Sequence, residues 1–363
     1  MSVATLKPTA AWKEIESGRG TAATLRRELW RAVVQALNSS GIPYCLLGSS
    51  EDAGERAGCD MDFAVRPQDE PKVPQLLASA AASRGAHLVQ AIRHEISATY
   101  FAIARQQGSE VAVLNPDCAT DYRRRRRLWI RADELLAEHS FGGGFCRPTR
   151  EREFQYYLLK HVLKQSAGKR QWQKLLELHG GANRCAAMTG FWSEATLRQI
   201  DLALLRRDHR WFEEQLPRLL RELEASPFLE SFSGRAKAST TDAARAIERI
   251  LHPTGVLVAV NGGDRQQREE MARLLANQLA PAFRRRLVCD RLSPLTVLPS
   301  LIRSTVVVYT GDSFPLLGWA GALRVTYDTN LSLQKNTASA VGALIVHLER
   351  RTFRRLKLQV PET

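Results

Sequence analysis

Apolar residues along this chain recur with two different periods, and the switches between them divide it into regions. Leu25, Leu29, Ala32, Val33 and Leu37 keep the three- and four-residue spacing of one helix face. They predict a helix from Ala22 that stops at Asn38-Ser39-Ser40-Gly41. Tyr44 to Leu47 and Met61 to Val65 are apolar runs of strand length, and Leu76, Leu77, Ala80 and Ala81 return to helical spacing. Ala98 to Ala104 and Val111 to Leu114 read as strands on either side of Gln106-Gln107-Gly108. Helix, strand, strand, helix, strand, strand is the order of a small α/β domain over residues 21–150, preceded by a lead-in over 1–20.

Gly142-Gly143-Gly144 and Pro148 mark the next boundary. Phe154, Tyr157, Leu158 and Val162, and later Leu204, Trp211, Phe212 and Leu219, keep helical spacing. Residues 151–250 are therefore predicted to be mostly helical, broken at Gly180-Gly181, Gly190 and Pro227. The small, polar stretch Ser233 to Thr241 reads as a linker or exposed turn. After Pro253-Thr254-Gly255, Val256 to Val260 has the look of a buried strand. A glycine turn and a helix to about Leu279 follow it, then a strand Val306 to Tyr309 and a helix Ala338 to Arg350. Residues 251–363 thus form a second α/β unit. The fold class expected for the whole chain is α/β, with no internal repeat.

The 363 residues are 44% hydrophobic and 25% charged, enough apolar side chain for ordinary cores, which excludes a disordered chain. No apolar run approaches the roughly 18 residues of a membrane span, and no apolar signal segment opens the chain, so the expected location is the cytoplasm. Net charge is +14, which favours polyanionic partners such as nucleotides, nucleic acid, phosphorylated sugars or lipid headgroups. Much of that charge is local, in Arg123 to Arg127 and Arg284 to Arg286. Cys45, Cys59, Cys118, Cys146, Cys185 and Cys289 form no C-x-x-C pair and no zinc spacing, and are expected to be free thiols.

One constellation carries chemistry: Leu46-Leu47-Gly48-Ser49, ten residues, then Asp60-Met61-Asp62-Phe63. Side chains at i and i+2 of a strand share a face, so Asp60 and Asp62 project together from an otherwise apolar strand. Two adjacent acids there are costly without a metal or cationic partner. Mg²⁺ bound by one or two carboxylates and completed by substrate phosphates answers that cost. Paired ions would stabilise both the attacking and leaving oxygens of a phosphoryl displacement. Gly48 allows backbone to approach phosphate, and Ser49 supplies a hydroxyl and an N–H.

This signature resembles the polymerase-β-type nucleotidyltransferase superfamily over about residues 22–150. More narrowly, GIPYCLLGSSEDAGERAGCDMDFAV, DCATDYRRRRRLW and EFQYYLLKHVLK are similar to uncharacterised bacterial proteins that join such a domain to a thymidylate-kinase-like one, often beside surface-polysaccharide genes. The resemblance implies a third carboxylate on a later strand, which binds metal and helps deprotonate the attacking hydroxyl. Asp117 is the candidate, with Asp121 as the alternative; Pro116 suits only an edge or a strand end. Arg123 and Arg124, at the start of the arginine run, are candidate phosphate ligands, against a solvated face as the plain reading. Lys160 and Lys164 read as exposed lysines that can add positive charge over the same cleft. His94, His161 and His179 read as surface or satisfied core residues, and Trp129, Trp172, Trp192 and Trp211 as core.

In the last region, VLVAVNGGDRQQREEMARLL has the layout of strand, phosphate-binding loop and helix. Gly262 and Asp264 match thymidylate-kinase-like loops, but Gln267, Arg268 and Glu269 stand where glycine, lysine and a hydroxyl are needed. This implies a kinase-like scaffold without kinase chemistry. The expected activity is Mg²⁺-dependent transfer of a nucleoside monophosphate from a nucleoside triphosphate to a hydroxyl of a glycan precursor, a protein or RNA. The competing expectation is a non-catalytic regulatory or assembly protein built from the same folds.

Overall fold

The structure is a computed structural model that describes residues 21–359, apart from 49–53, 55–58, 125–126, 138, 181–184, 186–187, 226–231, 284, 292 and 312–321. Ser49 and the lead-in over 1–20 therefore lie outside the described residues. In chain order the first region holds α1 (Thr21–Ser39), β1 (Tyr44–Leu46), β2 (Asp60–Val65), α2 (Val73–Ala82), β3 (His87–Glu95), β4 (Ala98–Gln107) and β5 (Glu110–Ala119). The pair β6 (Tyr122–Arg124) and β7 (Arg127–Ile130), α3 (Ala132–Ala137), and the pair β8 (His139–Gly142) and β9 (Phe145–Pro148) complete it. Five helices follow: α4 (Arg150–Lys164), α5 (Lys169–His179), α6 (Glu194–Arg206), α7 (His209–Ala225) and α8 (Phe232–Leu251). The last region comprises β10 (Val256–Asn261), α9 (Arg265–Leu279), β11 (Arg285–Cys289), α10 (Pro294–Ile302), β12 (Thr305–Tyr309), β13 (Leu323–Thr326) and α11 (Leu333–Leu356). Helices and sheets mix as the α/β class requires. No helix among the described residues is long and apolar enough to cross a membrane.

The first sheet has the order β1-β2-β5-β4-β3, with β2 and β5 parallel. Strict alternation sorts its side chains. Met61, Phe63 and Val65 of β2, Leu114 and Cys118 of β5, and Phe101 and Ile103 of β4 face a core shared with α1 and α2. The opposite face is divided. At one end Cys45, Leu47 and Ala64 join the core of the helical region. At the other, Val89, Ala102, Ala104 and Val113 share a core with α9 and α11. Between these two apolar contacts lies the strip that carries Asp60, Asp62, Asn115 and Asp117.

Three of the departures from the sequence reading bear on how the site is placed. β3 is a strand that periodicity did not reveal; its polar Gln90 is buried and donates to Thr254 O at 2.8 Å, a partner supplied by the far end of the chain. Pro116 sits inside a central strand rather than an edge. The β4–β5 register accommodates it by running from Tyr100↔Asp117 to Ile103↔Leu114 and passing over Asn115 and Pro116, where the missing N–H interrupts the ladder. The backbone of 233–241 belongs to α8 rather than a linker. Arg245 donates to His94 O and Arg249 to Arg93 O at 3.0 Å, so tertiary docking overrides the weak helix propensity of that stretch.

The last region forms a parallel sheet of order β11-β12-β10-β13, and α11 covers edge strand β3 of the first sheet. Thr352 donates to Val89 O at 3.0 Å, Arg355 to Ala91 O, and His87 meets Glu349 at 2.9 Å. Arg351 donates to Gly255 O and Pro253 O, both at 2.7 Å. Arg351→Met would leave two carbonyls to other donors and is expected to lower unfolding free energy by about 1–3 kcal/mol. Arg354→Met, on the exposed side of the same helix, is expected to change it by less than about 0.5 kcal/mol. Urea unfolding of the two variants checks the contrast.

Candidate functional site

β2 is built for this site by its own alternation: Met61, Phe63 and Val65 are fully buried on one face, while exposed Asp60 and half-buried Asp62 take the other. In the parallel pairing Asp60 stands opposite Asn115 and Asp62 opposite Asp117. Residues paired across parallel strands point to the same side, so three carboxylates and one amide share a strip. Asp117, not Asp121, completes it. Asp121 accepts from Ala132 N at 3.0 Å at the start of α3 and meets Arg123 at 3.7 Å, which gives it a local structural task.

The first turn leads to the strip. Leu47 N donates to Asp62 O at 2.9 Å, and Gly48 follows at φ +66°. A Cβ there would lie 3.5 Å from the Tyr157 ring, so space is not the obstacle; the left-handed backbone is what favours glycine.

The principal cation is one that the sequence reading placed in solvent. Lys160 lies within the apolar stripe of α4, and its Nζ sits 2.5 Å from Asp62 Oδ2. The same ammonium lies 5.4 Å from the centroid of the Tyr156 ring, and Tyr122 packs edge-on to Tyr156 with centroids 5.0 Å apart. Burial pulls the Lys160 ammonium down, but Asp62 and then Tyr156 outweigh it and hold the group well above its ordinary value. Lys164 is on the exposed side of α4 as expected, with its ammonium lowered by desolvation and by Lys160. A signal for Lys160 does exist in the sequence: Tyr156, Lys160 and Leu163 fall at i, i+4 and i+7, so a buried stripe runs through the lysine.

His94, read as a surface or satisfied core residue, stands beside the strip, its Nε2 lying 3.5 Å from Asp117 Oδ2. His161 and His179 are buried, bonded to Ser166 O at 2.7 Å and Asp201 Oδ1 at 2.6 Å, but His161 Nε2 is buried without a hydrogen-bond partner among the described residues. Trp129, Trp172 and Trp192 are buried and Trp211 half-buried. Arg124 reaches Glu95 at 3.6 Å, and Arg127 donates to Glu224 O at 2.6 Å, so the described arginines of the run have protein partners. Arg125 and Arg126 lie outside the described residues. The six cysteines are free thiols.

The donor set suits a hard divalent ion in kind, since carboxylate and amide oxygens are what Mg²⁺ takes. Asp117 Oδ1 and Asn115 Oδ1 are buried with no hydrogen-bond partner among the described residues, and Asn115 is only 3% exposed. Lone pairs kept from water in this way are a reason to expect a ligand. Against this, Lys160 holds one oxygen of Asp62, and no group of three or more His, Cys, Asp and Glu side chains among the described residues is spaced to hold a metal.

In the last region, Gly262 (φ +73°) and Gly263 (φ +61°) follow β10, and a Cβ on Gly262 would come within 2.6 Å of Tyr327 O. Two of the N–H groups there are spoken for: Gln267 N donates to Asp264 Oδ1 at 2.8 Å and Asp264 N to Gln267 Oε1 at 2.9 Å. Arg268 donates to Gly263 O at 3.0 Å and Thr310 O at 3.1 Å, while Glu269 pairs with Arg265 at 2.9 Å. A phosphate would have to displace this self-contained cap.

Burial, then Asp62 and Asp60, raises the Asp117 carboxyl well above its ordinary 3.8, with Lys160 opposing. A raised folded-state value means that the folded chain retains a proton the unfolded chain has lost, so ionisation removes stability as pH climbs from the ordinary value through the raised one. Asp117→Asn is therefore expected to stabilise the protein near pH 7 by about 1–3 kcal/mol, a gain that fades below about pH 4. Thermal melts across that range test the sign.

Compared with protein-family models and with curated proteins, the chain matches none, so a functional reading stands on the geometry of this strip.

Proposed function

We propose that the strip on β2 and β5 binds the phosphates of a nucleoside triphosphate and transfers its nucleoside monophosphate to an acceptor hydroxyl in the cytoplasm. The observation that supports this is the register that sets Asp62 against Asp117 and Asp60 against Asn115 on one face, beside the buried Lys160. Asp60, Asp62 and Asp117 would hold Mg²⁺, which when bound offsets charge on the phosphates. Gly48 leads the backbone towards the phosphates, with Ser49, Arg123 and Arg124 as further candidate contacts. Asp117, which shares the strip with Asp62, is the residue to which the family resemblance gives the acceptor's proton. The acceptor oxygen bonds to the α-phosphorus, the α–β bridging bond breaks, and pyrophosphate leaves with the electron pair. A glycan precursor is the acceptor class that the family resemblance favours; a protein or RNA is the alternative, and the net charge of +14 accommodates each.

A second reading has its own support. Lys160 already neutralises Asp62, and the glycine loop after β10 caps itself, an arrangement suited to a regulatory or assembly protein that keeps the folds without the chemistry. Incubation of the full-length chain with each labelled triphosphate and Mg²⁺ separates the two. Label on a glycan lipid, protein or RNA supports transfer; no label and no triphosphate binding supports the assembly role.

Two expected outcomes follow from the transferase reading. The double variant Asp60→Asn/Asp62→Asn is expected to keep its circular dichroism spectrum and to lose Mg²⁺-dependent triphosphate binding by roughly a hundredfold or more, on the order of 3 kcal/mol. Isothermal titration measures it, and binding equal to the parent's rules out this site. Arg268→Ala is expected to leave triphosphate affinity within about twofold, because the loop after β10 has no role in that binding. A larger loss would reassign nucleotide binding to the last region.

A further inference from the structure

Lys160 stands where the strip would receive a cation. Its Nζ lies 2.5 Å from Asp62 Oδ2, with side chains of only 17% and 24% exposure. Its direction is set by α4, whose Tyr156, Tyr157, Leu158 and Leu159 are buried in the helical core, so the ammonium arrives on a rigid element. The Tyr156 ring flanks it at 5.4 Å. On the neighbouring strand, Asp117 Oδ1 and Asn115 Oδ1 are buried without hydrogen-bond partners among the described residues. Among the described residues, Asp62 of β2 thus has its cation in Lys160 of α4, while Asn115 Oδ1 and Asp117 Oδ1 of β5 lack one.

We propose that Lys160 is a resident counter-ion that competes with divalent metal for Asp62, so that the strip takes metal efficiently only when a phosphate is present to receive the Lys160 ammonium. This rests on the nucleotide-binding reading of the strip and adds an order to it. Without phosphate, displacing Lys160 would strand a buried ammonium beside an incoming dication, which is unfavourable. With phosphate, the ammonium exchanges one anion for another while Asp62 is released to the metal. Lys160 here is a positioning residue acting through Asp62.

Mn²⁺ binding to the nucleotide-free, full-length chain, followed by paramagnetic resonance, tests the competition. Lys160→Gln is expected to bind Mn²⁺ roughly tenfold more tightly than the parent, whereas Lys160→Arg, which retains a cation, is expected to stay as weak as the parent. Equal affinity of the parent and the Gln variant, or no binding by either, overturns the proposal. If the Gln variant does not fold, the parent alone decides. The parent's Mn²⁺ affinity is expected to rise several-fold in millimolar inorganic phosphate, which can receive the Lys160 ammonium, and no rise overturns the proposal. Neither arm contains nucleotide. Failure here therefore leaves the triphosphate-binding result of the Asp60→Asn/Asp62→Asn comparison untouched, and failure of that comparison is read separately.

Discussion

The ion pair between Lys160 and Asp62 is the contact on which the site's arrangement depends. It joins α4 to β2 across the face of the first sheet, with both side chains largely removed from water. Such a pair is a weak source of net stability, because desolvating two charges consumes most of the attraction between them. Its effect is on specificity: an unpaired Asp62 at this depth would be costly, as would an unpaired Lys160, so α4 has one favourable placement over β2. The helical region inherits that placement through the core that Tyr156, Leu158 and Leu159 share with Cys45, Leu47 and Ala64.

The same sheet face is bounded on its other side by the last region. Tyr100, opposite Asp117 in register, donates to Pro281 O at 3.1 Å, and Val113, two residues before Asn115, belongs to the core shared with α9 and α11. The strip of acids is therefore the interval left between two apolar contacts, one with α4 and one with the last region. This gives the last region a structural role that needs no chemistry of its own. Its glycine loop agrees with that role, since Asp264 and Gln267 satisfy each other's N–H groups and Arg268 closes onto loop carbonyls.

Charge across the site is balanced locally rather than by the overall excess. Arg123 meets Asp121, Arg124 meets Glu95 and Lys160 meets Asp62. A ligand entering the strip would exchange partners with groups already paired. The exposed side of Lys164 extends the same positive edge towards solvent.

The sequence by itself determined the elements and the alternation that set the acids. Period-two spacing in Asp60-Met61-Asp62-Phe63 is a local property, because burying Met61 and Phe63 turns Asp60 and Asp62 the other way whatever the rest of the chain does. Helices α1, α2, α4, α7, α9 and α11, the strand before Gly262 and the buried tryptophans were legible for the same reason. What only the tertiary structure decided is who stands opposite whom. Strand β3 hides behind Gln90, whose partner Thr254 is far along the chain, and α8 runs through a stretch of small polar residues because Arg245 and Arg249 dock on strand carbonyls. Asp117 prevails over Asp121 by register, since a parallel pairing of β2 with β5 places residue 117 against residue 62 while Asp121 lies past the strand's end, engaged with α3. Lys160 meets Asp62 through packing of α4 on the sheet, a contact that spans 98 residues and that no local pattern specifies.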